Sequence, residues 1–147
     1  MTAEANNFQV LLVEDDPGDA ELTRLGSAKS GIGFDLSIVE NGQDALSYLR
    51  NEEQYADSHR PNLILLDLNL PGLSGKEILQ AVKRTEELQS IPVVVLTTSD
   101  SEDDIASTYA LGANCYVRKR SDLQDFLQVV EQVQKFWLIT AELPSQN

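Results

Sequence analysis

Residues 62–67 read NLILLD, a continuously apolar run that ends in an aspartate. Two further runs have the same character, FQVLLV at 8–13 and PVVVLT at 92–97. Strands buried on both faces of a parallel sheet are apolar at nearly every position, so these three runs predict central strands. The run FDLSIV at 34–39 alternates apolar and polar residues, which is typical of an edge strand. NCYV at 114–117 completes a set of five.

Helix-like segments alternate with these strands. Asp16 followed by Pro17 predicts an N-cap with proline at the first helical position. Ser121 with Gln124 predicts a capping box that opens the last helix. Left-handed residues at helix ends are expected at Gly31, Gly33 and Gly112. The predicted helices span about 17–30, 42–50, 75–86, 102–112 and 121–137.

Five strand–helix repeats predict an α/β fold, a three-layer, doubly wound (βα)5 arrangement. We expect one five-stranded parallel sheet with the flavodoxin-like strand order 2-1-3-4-5. In open sheets of this kind, functional groups gather at the carboxyl ends of the strands, near the point where strand order reverses. The residues that follow each predicted strand are therefore the candidates for a site.

Length and charge narrow the class of protein. The chain has 147 residues and a formal net charge of −13, which fits one domain over 8–140 with tails at 1–7 and 141–147. Excess negative charge repels nucleic acid and anionic lipid, so neither is an expected partner. Cys115 is the only cysteine, which excludes a disulfide framework. Without a signal-peptide pattern or a long apolar run, a cytoplasmic location is expected.

Acidic side chains follow two neighbouring predicted strands. Glu14 and Asp15 come after the first strand, and Asp67 ends the third. Three carboxylates brought together need a cation, and oxygen ligands open to water suit Mg²⁺, with Mn²⁺ as an alternative. Thr97 ends the fourth strand and Lys119 follows the fifth. A metal, a hydroxyl and an ammonium around a strand-end carboxylate are the groups needed to receive a phosphoryl group, with Asp67 as nucleophile.

Each residue also has a purely structural explanation. Asp15 and Asp16 would cap a helix in many proteins, Asp67 precedes a Pro-Gly turn, and Lys119 alone would be a solvated surface residue. Their occurrence together, each at the end of a different strand, favours a shared site over separate structural roles.

The motifs LLVEDD, LLDLNLPGLSG, VVVLTTS and YVRK occur in one order along the chain, each at a predicted strand end. In these motifs the sequence resembles the receiver domain of two-component response regulators, the CheY-like family. The resemblance implies that Asp67 is the phosphoacceptor. It implies that Asp15 binds Mg²⁺ directly, that Glu14 does so through water, and that the backbone carbonyl of Asn69 completes the metal site.

The same resemblance implies a conformational switch. Thr97 matches the hydroxyl that moves toward the phosphoryl group, Lys119 its ion-pair partner, and Tyr116 the aromatic residue that follows Thr97 inward. Two positions depart from the family pattern. Arg120 stands where proline usually follows the lysine, so this loop is expected to be held differently. Thr98 stands where a small residue is common, so access to Asp67 is expected to be slower.

Three longer segments, LRNEEQYADSHRPNLILLDLNLP, ANCYVRK and KFWLITAELP, resemble the stand-alone regulators of cyanobacterial phytochromes. That resemblance implies a light-regulated, phytochrome-type histidine kinase as phosphodonor and a homodimer. Four consecutive apolar residues cannot all face one core, so a partner surface is predicted from the segment Phe136, Trp137, Leu138 and Ile139.

Three other functions remain as alternatives. A haloacid-dehalogenase-like phosphatase also uses a strand-end aspartate, but it needs a second aspartate at position 69, where this chain has asparagine. A flavodoxin-like carrier needs a phosphate-binding loop, which Glu14 and Asp15 would repel. A receiver-like docking module that is never phosphorylated is the third. The favoured function is a response regulator that is not an enzyme in its own right and that signals through protein contacts.

Overall fold

The computed structural model describes residues 8–145, so the predicted tail at 1–7 and the last two residues of the predicted tail at 141–147 lie outside the described residues. Five parallel strands form one sheet in the order β2-β1-β3-β4-β5. The strands are β1 (Phe8–Val13), β2 (Phe34–Val39), β3 (Leu63–Leu66), β4 (Val93–Thr97) and β5 (Cys115–Arg118). The helices are α1 (Pro17–Ser30), α2 (Gly42–Leu49), α3 (Gly75–Arg84), α4 (Glu102–Ala110) and α5 (Leu123–Lys135). The predicted α/β fold and strand order are confirmed.

The three central strands are buried on both faces, as their continuous apolar sequence predicts. In β1, Leu11 and Val13 pack with α2 and α3, whereas Val10 and Leu12 point to the opposite face. The sheet therefore lies between two helical layers. Strand β2, with its alternating sequence, is at one edge.

Two local predictions are corrected by the structure. The last helix is capped by Asp122, whose side chain accepts from the backbone N–H of Asp125, so Ser121 and Gln124 do not form a capping box. Aspartate is as good a cap as serine, and it lies one residue further along. Gly31 has φ 76° and ends α1, but Gly33 does not have a positive φ. One left-handed residue at Gly31 already ends the helix.

Gly75 fixes the loop that follows β3. A Cβ atom at this position would lie 2.3 Å from the backbone oxygen of Asp67, so α3 can begin this close to the end of β3 only with glycine. Ser74 and Glu77 form a reciprocal capping box at the same helix start. The strand-end aspartate is therefore held between the sheet and the first turn of α3.

The chain continues past α5 in a π-helical turn, Phe136–Thr140. Leu138 is only 4% exposed and packs in the core with Val10 and Leu12. The prediction that Leu138 belongs to a partner surface is therefore wrong, because this residue points inward. Within residues 8–145, no helix is both long and apolar enough to cross a bilayer.

Candidate functional site

Backbone hydrogen bonds between neighbouring strands continue for one residue beyond β1, β3 and β5, and they fix the backbone of the residues that follow these strands. The N–H of Glu14 donates to the carbonyl of Val39 at 3.0 Å, and that of Asp67 donates to Val13 at 3.1 Å. The N–H of Lys119 donates to the carbonyl of Thr97 at 2.7 Å. The side chains of these residues are therefore positioned by the rigid sheet and not by the loops.

An acidic cluster forms where β1 and β3 end. Glu14, Asp15 and Asp67 each offer a carboxylate oxygen, and these oxygens all lie within 4.8 Å of one another. Glu14 is 2% exposed and Asp67 is buried, whereas Asp15 is open to solvent. Clustered carboxylates that reach water on one side fit a hard divalent cation such as Mg²⁺ or Mn²⁺, which retains bound water.

Lys119 supplies the positive charge beside this cluster. Its ammonium is buried and lies 2.6 Å from Glu14 Oε1, 2.9 Å from Asp19 Oδ2 and 3.3 Å from Asp67 Oδ2. The three N–H groups of an ammonium thus have three carboxylate acceptors. Every peptide bond within residues 8–145 is trans, including the one that joins Lys119 to Arg120.

Asp19 was not singled out from the sequence. It lies in the first turn of α1, three residues after the cap residue Asp16. An acidic residue there is ordinarily explained by the helix dipole. The sequence signal that could have identified Asp19 is its position: the helix after β1 begins beside the strand ends, so residues in its first turn lie near the site.

The excess of carboxylates shifts two pKa values. Burial raises the pKa of Glu14 from 4.5 to about 7; the negative charge of Asp67 adds to this, while Lys119 opposes it. Burial alone would lower the pKa of Lys119, but its hydrogen bonds to Glu14 and Asp19 outweigh burial and raise it above its ordinary value. Lys119 therefore stays charged, while Glu14 takes up a proton near neutral pH.

Cation binding should consequently depend on pH. The folded protein holds the Glu14 proton more tightly than the unfolded chain, so protonation of Glu14 stabilises the metal-free fold. That contribution, about 3 kcal/mol, is complete below about pH 4.5 and is lost as the pH rises to about 7. A cation needs the ionised carboxylate, so Mg²⁺ affinity should rise roughly tenfold or more between about pH 5.5 and 7.5.

Mg²⁺ titrations by calorimetry at these two pH values would measure the effect. Glu14→Gln is the control, and we expect it to bind Mg²⁺ weakly with little dependence on pH. Equal affinity of the unaltered protein at both pH values would contradict the prediction.

The predicted switch residues lie on β4 and β5. Thr97 is fully buried at the end of β4, and its Oγ1 accepts a long hydrogen bond, 3.5 Å, from the N–H of Ser99. The hydroxyl of Tyr116 donates to the carbonyl of Ser99 at 2.8 Å. Tyr116 is therefore tied to the loop that begins with Thr97, although the two side chains come from different strands.

A second polar network holds this loop from the other side. Asp104, in the first turn of α4, accepts from the ammonium of Lys76 at 2.7 Å and from the hydroxyl of Ser99 at 2.6 Å. These two partners lower the pKa of Asp104. Sequence analysis missed this network, because nothing in the spacing of Lys76, Ser99 and Asp104 indicates that α3 and α4 meet there.

A pocket of about 490 Å³ opens beside Lys119, between α1 and the start of α5. Asp19 and Thr98 lie on its wall, together with Arg118 and Arg120 on either side of the lysine. The remaining lining residues are Leu22, Ser121, Leu123 and Phe126. Both arginines are exposed, so the pocket places positive charge next to the acidic cluster.

A doubly wound sheet with an acidic cluster and a buried lysine at its strand ends defines a receiver domain. The chain belongs to the response regulator receiver domain family, which it matches over residues 10–131. Receiver domains are not enzymes in the ordinary sense, and membership of this family argues against both the phosphatase and the flavin carrier.

Among its relatives, the chain is 44% identical over 146 residues to response regulator Rcp1 of Synechocystis sp. (strain ATCC 27184 / PCC 6803 / Kazusa), covering 99% of both chains. It also resembles the crystal structure of the phosphorylated cyanobacterial phytochrome response regulator RcpA, with a TM-score of 0.92 and 45% identity. That match covers 95% of this chain and 99% of the other. For the Mn²⁺-bound form of Rcp1 the TM-score is 0.90 at 43% identity, covering 94% and 99%.

These comparisons confirm the resemblance to receiver domains and to the regulators of cyanobacterial phytochromes. A manganese-bound relative of such similarity agrees with the donor set formed by Glu14, Asp15 and Asp67. The prediction of a divalent-cation cofactor is therefore confirmed.

Proposed function

We propose that this protein is a response regulator that accepts a phosphoryl group from a histidine kinase on Asp67. The observation that carries the proposal is the position of this carboxylate. Asp67 directly follows the central strand β3, is 7% exposed, and lies beside both the buried ammonium of Lys119 and the carboxylates of Glu14 and Asp15. A nucleophile held by the sheet beside a cation site is arranged for phosphoryl transfer.

In the proposed reaction, an Asp67 carboxylate oxygen attacks the phosphorus of a phosphohistidine. The O–P bond forms as the P–N bond breaks, and the imidazole leaves with the bonding electrons and takes up a proton. Asp15, Asp67 and the Asn69 carbonyl, with Glu14 through water, would hold a Mg²⁺ ion, which would neutralise charge on the transferring oxygens. Lys119 and the Thr97 hydroxyl donate to phosphoryl oxygens from the opposite side. Water later hydrolyses the acyl phosphate.

The proposed donor is a light-regulated, phytochrome-type histidine kinase. Support comes from the similarity to RcpA, which is a cyanobacterial phytochrome response regulator, over 95% of this chain. Arg118 and Arg120 border the pocket that leads to Lys119, and we infer that they help to recruit the anionic donor.

The proposed output passes through protein contacts on α4, β5 and α5. Movement of Thr97 on phosphorylation would reach Tyr116 through Ser99, because the Tyr116 hydroxyl is bonded to the Ser99 carbonyl. With a net charge of −13, the chain is unsuited to direct contact with nucleic acid. The proposed downstream partner is therefore a protein.

Intact-mass analysis tests this function. Purified protein incubated with Mg²⁺ and acetyl phosphate should gain the mass of one phosphoryl group, and EDTA should prevent the gain. A light-regulated histidine kinase charged with ATP should produce the same product. Absence of any gain with both donors would overturn the proposal and favour a docking module. Thr98 and Arg120 would then be the first positions to revert to the usual residues of the family.

We also propose a homodimer formed through the end of the chain after α5. Phe136 and Ile139 are 52% and 63% exposed, and the Phe136 ring packs edge-on against Trp137 with centroids 5.3 Å apart. Exposed aromatic and aliphatic side chains on neighbouring turns favour a protein partner. A symmetric contact between two copies would cover both residues.

Replacing Phe136 and Ile139 together by serine should weaken the dimer at least about tenfold, because it removes the exposed apolar area that association would bury. Sedimentation velocity over a range of concentrations measures the change. The matched control is Leu25→Ser, since Leu25 is 43% exposed on α1 and should not affect self-association. A dimer constant that is the same for all three proteins would contradict the proposed interface.

A further inference from the structure

Lys119 has one carboxylate partner that is not part of the metal cluster. Asp19 comes from α1, and its Oδ2 lies 2.9 Å from the Lys119 ammonium. This distance is shorter than the 3.3 Å that separates the ammonium from Asp67. In the resting protein, the lysine is therefore bound more closely by Glu14 and Asp19 than by the proposed phosphoacceptor.

An ammonium has only three N–H groups, and all three are engaged by carboxylates here. The contact with Asp67 is the longest of the three, 3.3 Å, and a phosphoryl group on Asp67 places more negative charge on that side of the ammonium. The ammonium is then drawn toward the phosphoryl oxygens, so one of its other two partners, Glu14 or Asp19, has to be given up. The cost of losing this partner depends on whether water can replace the ammonium at the abandoned carboxylate.

Glu14 and Asp19 differ in how far their side chains are exposed to solvent. The side chain of Glu14 is 2% exposed, and that of Asp19 is 28% exposed. Asp19 also lines the pocket of about 490 Å³ beside Lys119. Water can hydrate Asp19 once the lysine leaves, whereas Glu14 would remain as a buried carboxylate without its ammonium. Asp19 is therefore the least costly partner to release.

We propose that Asp19 is a positioning residue that holds the Lys119 ammonium until a phosphoryl oxygen on Asp67 replaces it. The inference rests on the proposed function of Asp67. Asp19 competes with the phosphoryl group for one N–H of the lysine, so it favours the unphosphorylated state. Removing its charge should therefore raise the affinity for a phosphoryl group or its mimic.

Beryllofluoride, a stable mimic of the aspartyl phosphoryl group, is a suitable probe in the presence of Mg²⁺. Asp19→Asn keeps the shape of the side chain and should bind beryllofluoride about 3- to 10-fold more tightly than the unaltered protein. Asp125→Asn is the matched control. Asp125 is an exposed acid in the first turn of α5, at the same edge of the sheet, and its replacement should leave the affinity unchanged.

A crystal structure of the unaltered protein with Mg²⁺ and beryllofluoride gives a second measurement that needs no variant. We expect the Lys119 ammonium to contact a fluorine atom and to lie beyond hydrogen-bond distance from Asp19. Retention of the Lys119–Asp19 contact in that structure would overturn the inference.

The affinities separate the remaining outcomes. Equal tightening by Asp19→Asn and Asp125→Asn would mean general charge repulsion and would overturn the inference. Weaker binding by Asp19→Asn would mean that Asp19 is needed to keep Lys119 in place, which also overturns it. Absence of beryllofluoride binding by the unaltered protein would refute the proposed function itself, a result distinct from either of these.

Discussion

Asp67→Asn is expected to gain no phosphoryl group under conditions in which the unaltered protein gains one. The amide is uncharged and a poor nucleophile, while its size and its position at the end of β3 are preserved. The carboxylate of Asp67 lies beside Lys119 and supplies the proposed nucleophilic oxygen, and this is the group that the substitution removes. Intact-mass analysis after incubation with Mg²⁺ and acetyl phosphate measures the result.

Two further variants complete this experiment. Asp57→Asn changes an exposed aspartate in the loop before β3 and should be phosphorylated like the unaltered protein. Asp15→Asn keeps the acceptor but removes a carboxylate of the metal cluster. It should react at least roughly tenfold more slowly at low Mg²⁺ concentration, because less of the protein then holds the ion that stabilises the charge of the transferring group. Phosphorylation of Asp67→Asn at the normal rate would show that the acceptor is another residue.

Lys119→Met is expected to cause the largest loss of stability of any single substitution at the site. It removes the buried ammonium beside the acidic cluster and leaves Glu14 and Asp67, both nearly inaccessible to water, without compensation. Breaking a buried ion pair from one side costs about 3–5 kcal/mol, a large part of the stability of a small domain. Urea denaturation at about pH 8 without divalent cation should reveal this cost.

The loss of stability in Lys119→Met should depend on pH and on the presence of a divalent cation. A proton on Glu14 or a Mg²⁺ ion in the cluster replaces the missing positive charge, so lowering the pH to about 5.5 or adding Mg²⁺ should restore much of the stability. Lys76→Met is the matched control, because Lys76 pairs with Asp104 at 2.7 Å but both side chains are about one-third exposed. Its loss should stay below about 1 kcal/mol at every pH. Equal losses for the two variants would refute the electrostatic explanation.

The strand ends could be predicted from sequence because a strand buried on both faces of a parallel sheet is apolar at nearly every position, so the run of apolar residues marks where it ends. Once NLILLD and PVVVLT are assigned to neighbouring strands, the position of Asp67 and Thr97 at one edge follows from the topology. The predicted helix start at Asp16 depends on local hydrogen bonds to the N–H groups of Gly18 and Asp19, and local sequence predicts such bonds.

Contacts between elements distant in sequence were harder to predict. Asp19 contacts Lys119 across 100 positions, and its residue type has an adequate local explanation at a helix start. The bonds that join Lys76, Asp104 and Ser99 depend on where the fold places the first turns of α3 and α4. Leu138 was misassigned because residues 136–139 were considered apart from the spacing of α5. Phe126, Val130 and Gln134 are buried at steps of four residues, and Leu138 is the next step on that face.

The length of α5 has a further consequence. Its 13 residues place the exposed Phe136 and Ile139 about 20 Å along the helix from the loop that carries Lys119. Substitutions at the two ends should act additively on stability, because they share no contacts. Any effect of phosphorylation on self-association would therefore be a coupling free energy transmitted through the domain. If phosphorylation changed the dimer association constant by some factor, dimer formation would change the equilibrium constant for phosphorylation of Asp67 by that same factor.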